Sequence, residues 1–155
     1  MKSSILNNKR LLIVDDEPDI LDIVTEEILD AAPDAKIDKA TNYEDAAAFL
    51  NSREYDLVIL DIMGVRGFDL LEIAVAQKRR VAMLTAHALN PDALKKSHDM
   101  GAVAYLPKDK LGEIVPFLDD ALQYEYKSAW ERLLDKLGEY YTKKFQERID
   151  KGMWL

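Results

Sequence analysis

Four places in the chain carry side chains that could work together chemically. Asp15 and Asp16 stand side by side, Asp61 closes an apolar run, Thr85 closes another, and Lys108 follows a third. Carboxylates that share a pocket repel one another, and without a counter-charge one of them is driven to keep its proton. A hard divalent cation relieves that repulsion. Mg²⁺ fits best, because it takes one or two carboxylates and keeps waters or phosphate oxygens in its remaining positions. Lysine adds a mobile positive charge suited to a phosphoryl oxygen, and threonine adds a hydroxyl that can hydrogen-bond to it. A carboxylate nucleophile, a metal, an ammonium and a hydroxyl together read as phosphoryl transfer onto Asp61 through an acyl phosphate. Each residue also has a plainer role: Asp15-Asp16 as a helix cap, Asp61 as a turn former, Thr85 as a strand end, Lys108 as a solvated surface lysine. The chemistry holds only if the four places meet.

Whether they meet depends on the elements that carry them. Leu57-Val58-Ile59-Leu60 is an unbroken apolar run of strand length, ending abruptly at Asp61. Such a run suits a strand buried on both faces, as in a parallel sheet covered by helices. Arg10-Leu11-Leu12-Ile13-Val14 is a similar run leading into Asp15-Asp16-Glu17, and Val81-Ala82-Met83-Leu84 leads into Thr85. Residues 103–106 form a further strand running into Pro107-Lys108, and Lys36–Ala40 is a weak strand candidate. Helical spacing intervenes each time. Ile20, Leu21, Ile23, Val24, Ile28 and Leu29 follow Pro18; Ala46, Ala47, Phe49 and Leu50 follow the N-cap candidate Asn42. Phe68, Leu70, Leu71, Ile73, Ala74 and Val75 follow the loop Gly64-Val65-Arg66-Gly67. Asn90-Pro91 opens a fourth helix that Gly101 stops, and a fifth begins near residues 111–113 with Pro116 in its first turn. Five alternations of strand and helix argue for βαβ units and an α/β, doubly wound parallel sheet. In such a sheet the strand ends share one edge, where open α/β folds bind ligands. Asp15, Asp16, Asp61, Thr85 and Lys108 should therefore converge.

Composition narrows the alternatives. The chain has 155 residues, 48% hydrophobic and 32% charged, which suits one folded domain with a small appendage. It has no cysteine and two histidines, so disulfide frameworks and thiolate metal sites are excluded. No signal peptide or transmembrane run is legible, and the chain reads as cytoplasmic with no membrane role. The net charge is −8. Seven basic and six acidic residues lie from Tyr124 onward, so the acidic excess belongs to the first 123 residues. An acidic body disfavours nucleic acid, whose binding requires Lys and Arg to neutralise phosphates.

The set Ile13-Val14-Asp15-Asp16-Glu17-Pro18, Asp56-Leu57-Val58-Ile59-Leu60-Asp61, Leu84-Thr85-Ala86 and Gly101-Ala102 with Tyr105-Leu106-Pro107-Lys108 closely resembles response-regulator receiver domains of the CheY type. The resemblance spans about residues 10–123, and its four motifs fall in the family's order and spacing. It implies a flavodoxin-like five-stranded sheet of order 2-1-3-4-5, with Asp61 accepting a phosphoryl group from a sensor histidine kinase or phosphotransfer protein. It also implies that Asp16, Asp61 and the backbone carbonyl of Met63 hold Mg²⁺, with Asp15 assisting through water. Lys108 would pair with the phosphoryl group, Thr85 would follow it inward, and Tyr105 would change rotamer in response. Met63 and His87, each two residues past a motif residue, resemble positions that gate phosphoryl lifetime, although His87 is expected to be a solvent-exposed loop histidine. His98 is expected on an outer helix face with no role. Two departures stand out. The segment after Asp61 has no proline and reaches its second glycine early, at Gly67, and Lys108 precedes Asp109 where many members have proline. The second departure predicts a trans peptide or visible strain at Lys108-Asp109, because a cis bond without proline costs roughly 3 kcal/mol.

The expected division is a receiver over residues 1–123 and a helical extension over 124–155. In the extension Trp130, Leu133, Leu134, Leu137, Tyr141, Phe145 and Ile149 recur at spacings of three and four, giving one apolar stripe that must be covered. Homodimerisation is the expected use of it, ahead of docking on a partner protein or closing the receiver's own core. Some 30 residues are too few for a helix-turn-helix output domain, so a transcription factor is not expected. The resulting expectation is a single-domain response regulator, a signalling switch with output through protein–protein contact. The alternatives are a phosphorylation-independent scaffold of receiver architecture and a phosphohydrolase with an aspartyl nucleophile. The last needs a general acid two residues after Asp61, and Met63 cannot donate a proton.

Overall fold

The computed structural model describes residues 4–86 and 90–140. Five strands, β1 (Arg10–Val14), β2 (Lys36–Ala40), β3 (Leu57–Asp61), β4 (Val81–Thr85) and β5 (Ala104–Pro107), form one parallel sheet in the order β2-β1-β3-β4-β5. Helices α1 (Pro18–Ala31), α2 (Tyr43–Ser52), α3 (Gly67–Ala76), α4 (Pro91–Asp99) and α5 (Ile114–Gln123) link or follow them. A 3-10 turn at Lys108–Glu113 leads into α5, and α6 (Tyr126–Tyr140) comes last. This is the parallel α/β sheet that the alternation of apolar runs and helical spacing predicts, in the flavodoxin-like order that the family resemblance implies.

Burial explains the strand composition. All five residues of β3 and of β4 are buried, as both faces of the sheet are covered, whereas edge strand β2 buries only Ala40. That edge position is why Lys36–Ala40 reads weakly in sequence. The helix signals act as predicted. Asn42 accepts a hydrogen bond from the Asp45 N–H at 2.8 Å at the start of α2, and Asn90 accepts from the N–H groups of Asp92 and Ala93 at the start of α4. Gly101 takes φ +100° after α4, a region open chiefly to glycine. Not every residue of the α1 pattern faces inward. Leu21, Val24 and Ile28 are buried, but Ile23 and Leu29 are exposed, because a two-turn stripe suffices to cover the sheet.

The C-terminal extension is a separate helix, broken from α5 where Tyr124 adopts an extended conformation. Its stripe folds back onto the chain's own receiver. Trp130, Leu133, Leu134 and Leu137 join the same core as β4 and β5, and the Trp130 Nε1–H donates to the Ala102 carbonyl at 2.7 Å. Lys136 and Arg132 pair with Asp120 of α5, fastening the outer side. This stretch is therefore closed on the receiver rather than open to a second copy. A homodimer through α6 would have to use another face. Tyr141, Phe145 and Ile149 lie outside the described residues. The expectation for His98 is corrected here: its ring packs between α4 and α6, 5.3 Å from the Tyr126 ring and 5.1 Å from the Trp130 ring, and Tyr126 donates its hydroxyl hydrogen to the His98 carbonyl. No helix among the described residues is long and apolar enough to cross a membrane.

Candidate functional site

The strand register builds the site. Val14 is aligned with Leu60, so Asp15 emerges from β1 beside Asp61 at the end of β3. Asp61 is aligned with Leu84, which places Thr85 one residue beyond it on β4. Thr85 is aligned with Pro107, so the next residue of the chain, Lys108, leaves β5 at the same edge. Parallel strands thus deliver two acids, an alcohol and an ammonium to one rim, as the apolar runs predict. Asp16 follows Asp15 directly, Met63 comes two residues after Asp61, and Tyr105 lies three residues before Lys108.

The side chains converge. Lys108 Nζ lies 2.9 Å from Asp15 Oδ2 and 3.1 Å from Asp61 Oδ1, with Glu17 Oε2 at 3.6 Å. Asp15, Asp16 and Asp61 each present an oxygen within 4.8 Å of the others. Asp15 is buried and Asp61 is 3% exposed, while Asp16 faces solvent. The Glu17 N–H donates to Asp15 Oδ1 at 2.9 Å, fixing that carboxylate against the start of α1. Glu17 thereby contributes both its amide and its charge, a role that its place directly after Asp15-Asp16 could have suggested. Thr85 is 4% exposed; Tyr105, fully buried, has its phenol hydrogen-bonded to the Thr85 side chain.

Two carboxylates and one lysine do not balance. Burial, and then the neighbouring Asp15 charge, push the Asp61 carboxyl up to about 6; Lys108 offsets only part of this. Burial also raises Asp15 above the ordinary carboxylate range, again against the pull of Lys108. Lys108 is itself raised: burial alone would lower it, but its two acid partners outweigh that. The Tyr105 phenol is pushed up to about 12 by burial and stays neutral at any physiological pH.

A divalent cation fits this donor set on the structure's own terms. Asp15 Oδ2 is buried with no aligned hydrogen-bond donor, although Lys108 pairs with it at 2.9 Å. Three carboxylates face one another at a rim that is open on the Asp16 side, and hard oxygen ligands are what Mg²⁺ takes. Met63 lies in the turn directly after β3 with its side chain 70% exposed, so that side chain does not close the pocket. His87 lies outside the described residues. No peptide bond among the described residues is cis, so Lys108-Asp109 takes the trans alternative.

The structure thus combines a doubly wound parallel sheet with an acidic pocket and a lysine at its carboxyl edge. The chain belongs to the response regulator receiver domain family, whose model matches residues 11–117. Among solved structures it is similar to the response regulator TrrA of Thermotoga maritima in complex with Mg(2+)-BeF, at 34% identity, covering 74% of this chain and 99% of that one with a TM-score of 0.62. It is also similar to the receiver domain of NtrX from Brucella abortus, at 30% identity, 74% and 99% coverage and a TM-score of 0.64. The response regulator DrrB, a Thermotoga maritima OmpR/PhoB homologue, shares the fold at 23% identity and a TM-score of 0.63 over 74% of this chain. The chain spans about half of DrrB, 52% of its length. No curated protein sequence matches it.

Proposed function

We propose that this receiver accepts a phosphoryl group on Asp61 from the phosphohistidine of a sensor histidine kinase or phosphotransfer protein, in a reaction that needs Mg²⁺. Its output is a changed contact with another protein. The observation that carries the reading is the position of Asp61: almost fully buried, 3.1 Å from Lys108 Nζ and grouped with Asp15 and Asp16. TrrA, solved in complex with Mg(2+)-BeF, supports the choice of metal.

An ionised Asp61 oxygen attacks phosphorus, a P–O bond forms, and the P–N bond to the imidazole breaks. The imidazole keeps the bonding pair and takes a proton from solvent. Charge repulsion is the obstacle, because an anionic nucleophile must meet an anionic phosphoryl group. Asp15, Asp16, Asp61 and the Met63 carbonyl would hold the cation, which supplies positive charge to the phosphoryl oxygens when bound. Lys108 supplies a second positive charge; its ammonium trades one carboxylate for a phosphoryl oxygen without leaving the pocket. Thr85, one residue past the strand partner of Asp61, offers its hydroxyl to another oxygen. That offer draws on the hydroxyl now shared with Tyr105, so phosphorylation is felt at a fully buried aromatic in β5.

The test is incubation of the full chain with a small-molecule phosphodonor and Mg²⁺, followed by intact mass. One phosphoryl adduct is expected, absent in Asp61→Ala and absent with the metal chelated. An unmodified wild-type chain under these conditions would leave the scaffold reading in its place.

A further inference from the structure

The segment between β3 and α3 is short, residues 62–66, and two glycines let it close. At Gly67 the reason is backbone against backbone. Its N–H donates to the Ile62 carbonyl at 3.2 Å, and a Cβ there would sit 2.1 Å from the Asp61 carbonyl oxygen. At Gly64 the reason is different. Gly64 takes φ +84°, and a Cβ on it would lie 2.4 Å from Asp16 Oδ2, 2.6 Å from Asp16 Cγ and 2.9 Å from Asp16 Oδ1. All three atoms of the carboxylate are inside contact distance, so rotating that group cannot clear the overlap. The whole head group would have to move.

Asp16 is the acid with least to hold it. Asp15 is fixed by the Glu17 amide and Lys108, and Asp61 by Lys108 and its strand. Among the described residues no hydrogen bond or ion pair reaches the Asp16 carboxylate, which lies exposed against the Gly64 backbone. We propose that Gly64 is a positioning residue: its lack of a side chain leaves the space from which Asp16 reaches the Asp15–Asp61 pair. The pocket's affinity for a divalent cation therefore depends on Gly64 by way of Asp16. The inference rests on the reading of the pocket as a divalent-cation site and adds the device by which the shortened loop keeps that site intact.

The experiment is a ¹H–¹⁵N NMR titration of the full chain with MgCl₂ alone, which reads affinity and folding together and requires no phosphoryl transfer. Gly64→Ala carries both the Cβ and the backbone strain. Gly64→Asn carries the Cβ, but asparagine tolerates positive φ, so it isolates the overlap. Both are expected to weaken Mg²⁺ binding roughly 10-fold or more, the range for losing a group that orients a ligand. Asp16→Asn is expected to weaken it comparably, and adding Gly64→Asn to Asp16→Asn to change it less than about twofold, since both act through one carboxylate. Wild-type affinity in folded Gly64→Asn would overturn the proposal, as would losses that multiply in the double variant. If the wild-type chain shows no saturable Mg²⁺ shift, or Asp61→Asn leaves it unaltered, the cation-site reading itself falls and the inference falls with it.

Discussion

Asp61→Asn should make the metal-free protein more stable, by an amount that depends on pH. In the unfolded chain the Asp61 carboxyl titrates near 3.8; in the folded chain it is pushed up to about 6 by burial and by Asp15. Between those values the folded protein holds a proton that the unfolded chain has released, so stability falls as pH rises through the window and stays lower above it. At about 1.36 kcal/mol per unit, that difference gives a loss of about 3 kcal/mol. Asparagine carries no charge at either pH and removes the loss. With EDTA present, urea unfolding of the variant and the wild type should give midpoints that draw together near pH 4. They should separate by roughly 1–2 M near pH 8 at a typical denaturant slope. Lys108 titrates well above this range and contributes equally throughout it, while Asp15, also raised, steepens the wild-type profile in the same direction. Adding Mg²⁺ should recover stability in the wild type more than in the variant. Parallel wild-type and Asp61→Asn profiles between pH 4 and pH 8 would refute the claim that the pocket stores this repulsion.

Lys108→Ala should be harmful for the converse reason, leaving two buried acids without their counter-charge at a cost of about 3 kcal/mol near neutral pH. The same urea series reads it, and Asp61→Asn in that background should restore part of the loss. Trp130→Ala should cost about 3–5 kcal/mol, because the indole is buried against β5 and α4. Trp130→Phe should cost nearer 1–2 kcal/mol, chiefly the lost donor to the Ala102 carbonyl. Thermal unfolding of both checks whether α6 is part of the receiver's folding unit. Gly67→Ala should cost at least about 2 kcal/mol, since its Cβ would meet the Asp61 carbonyl oxygen. By contrast, Asn42→Ala should cost only about 1 kcal/mol in the same thermal unfolding, the loss of the cap that accepts from the Asp45 N–H.

Local chemistry carries most of the site into the sequence. An apolar run such as Leu57-Val58-Ile59-Leu60 suits a strand covered on both faces, and a parallel sheet puts every strand's end on one rim. The acid or hydroxyl closing each run is then a statement about position as well as type. Hence Asp15, Asp61, Thr85 and Lys108 could be read as neighbours before any distance was known, and the caps at Asn42 and Asn90 before any helix was seen. Long-range packing is less legible. The apolar stripe on α6 shows that the helix must bury one side, but a stripe carries no label for what covers it. Its closure on the chain's own α4, α5 and β5 depends on an inter-element fit: Trp130 reaching the Ala102 carbonyl, and Lys136 reaching Asp120. His98 was unreadable for the same reason, since its surroundings come from a helix nearly thirty residues further along.

What the sequence by itself determined, then, is the order of the elements, the edge at which they end and the kinds of group delivered there. Those follow from periodicity and from the constant hand and direction of parallel connections. Tertiary structure alone decided the balance within the pocket. Lys108 lies between Asp15 and Asp61, the Asp61 proton is held to about 6, and the Gly64 backbone lies against Asp16. Charge and contact at that scale depend on ångström separations between segments far apart in the chain, and no local pattern of residues encodes those.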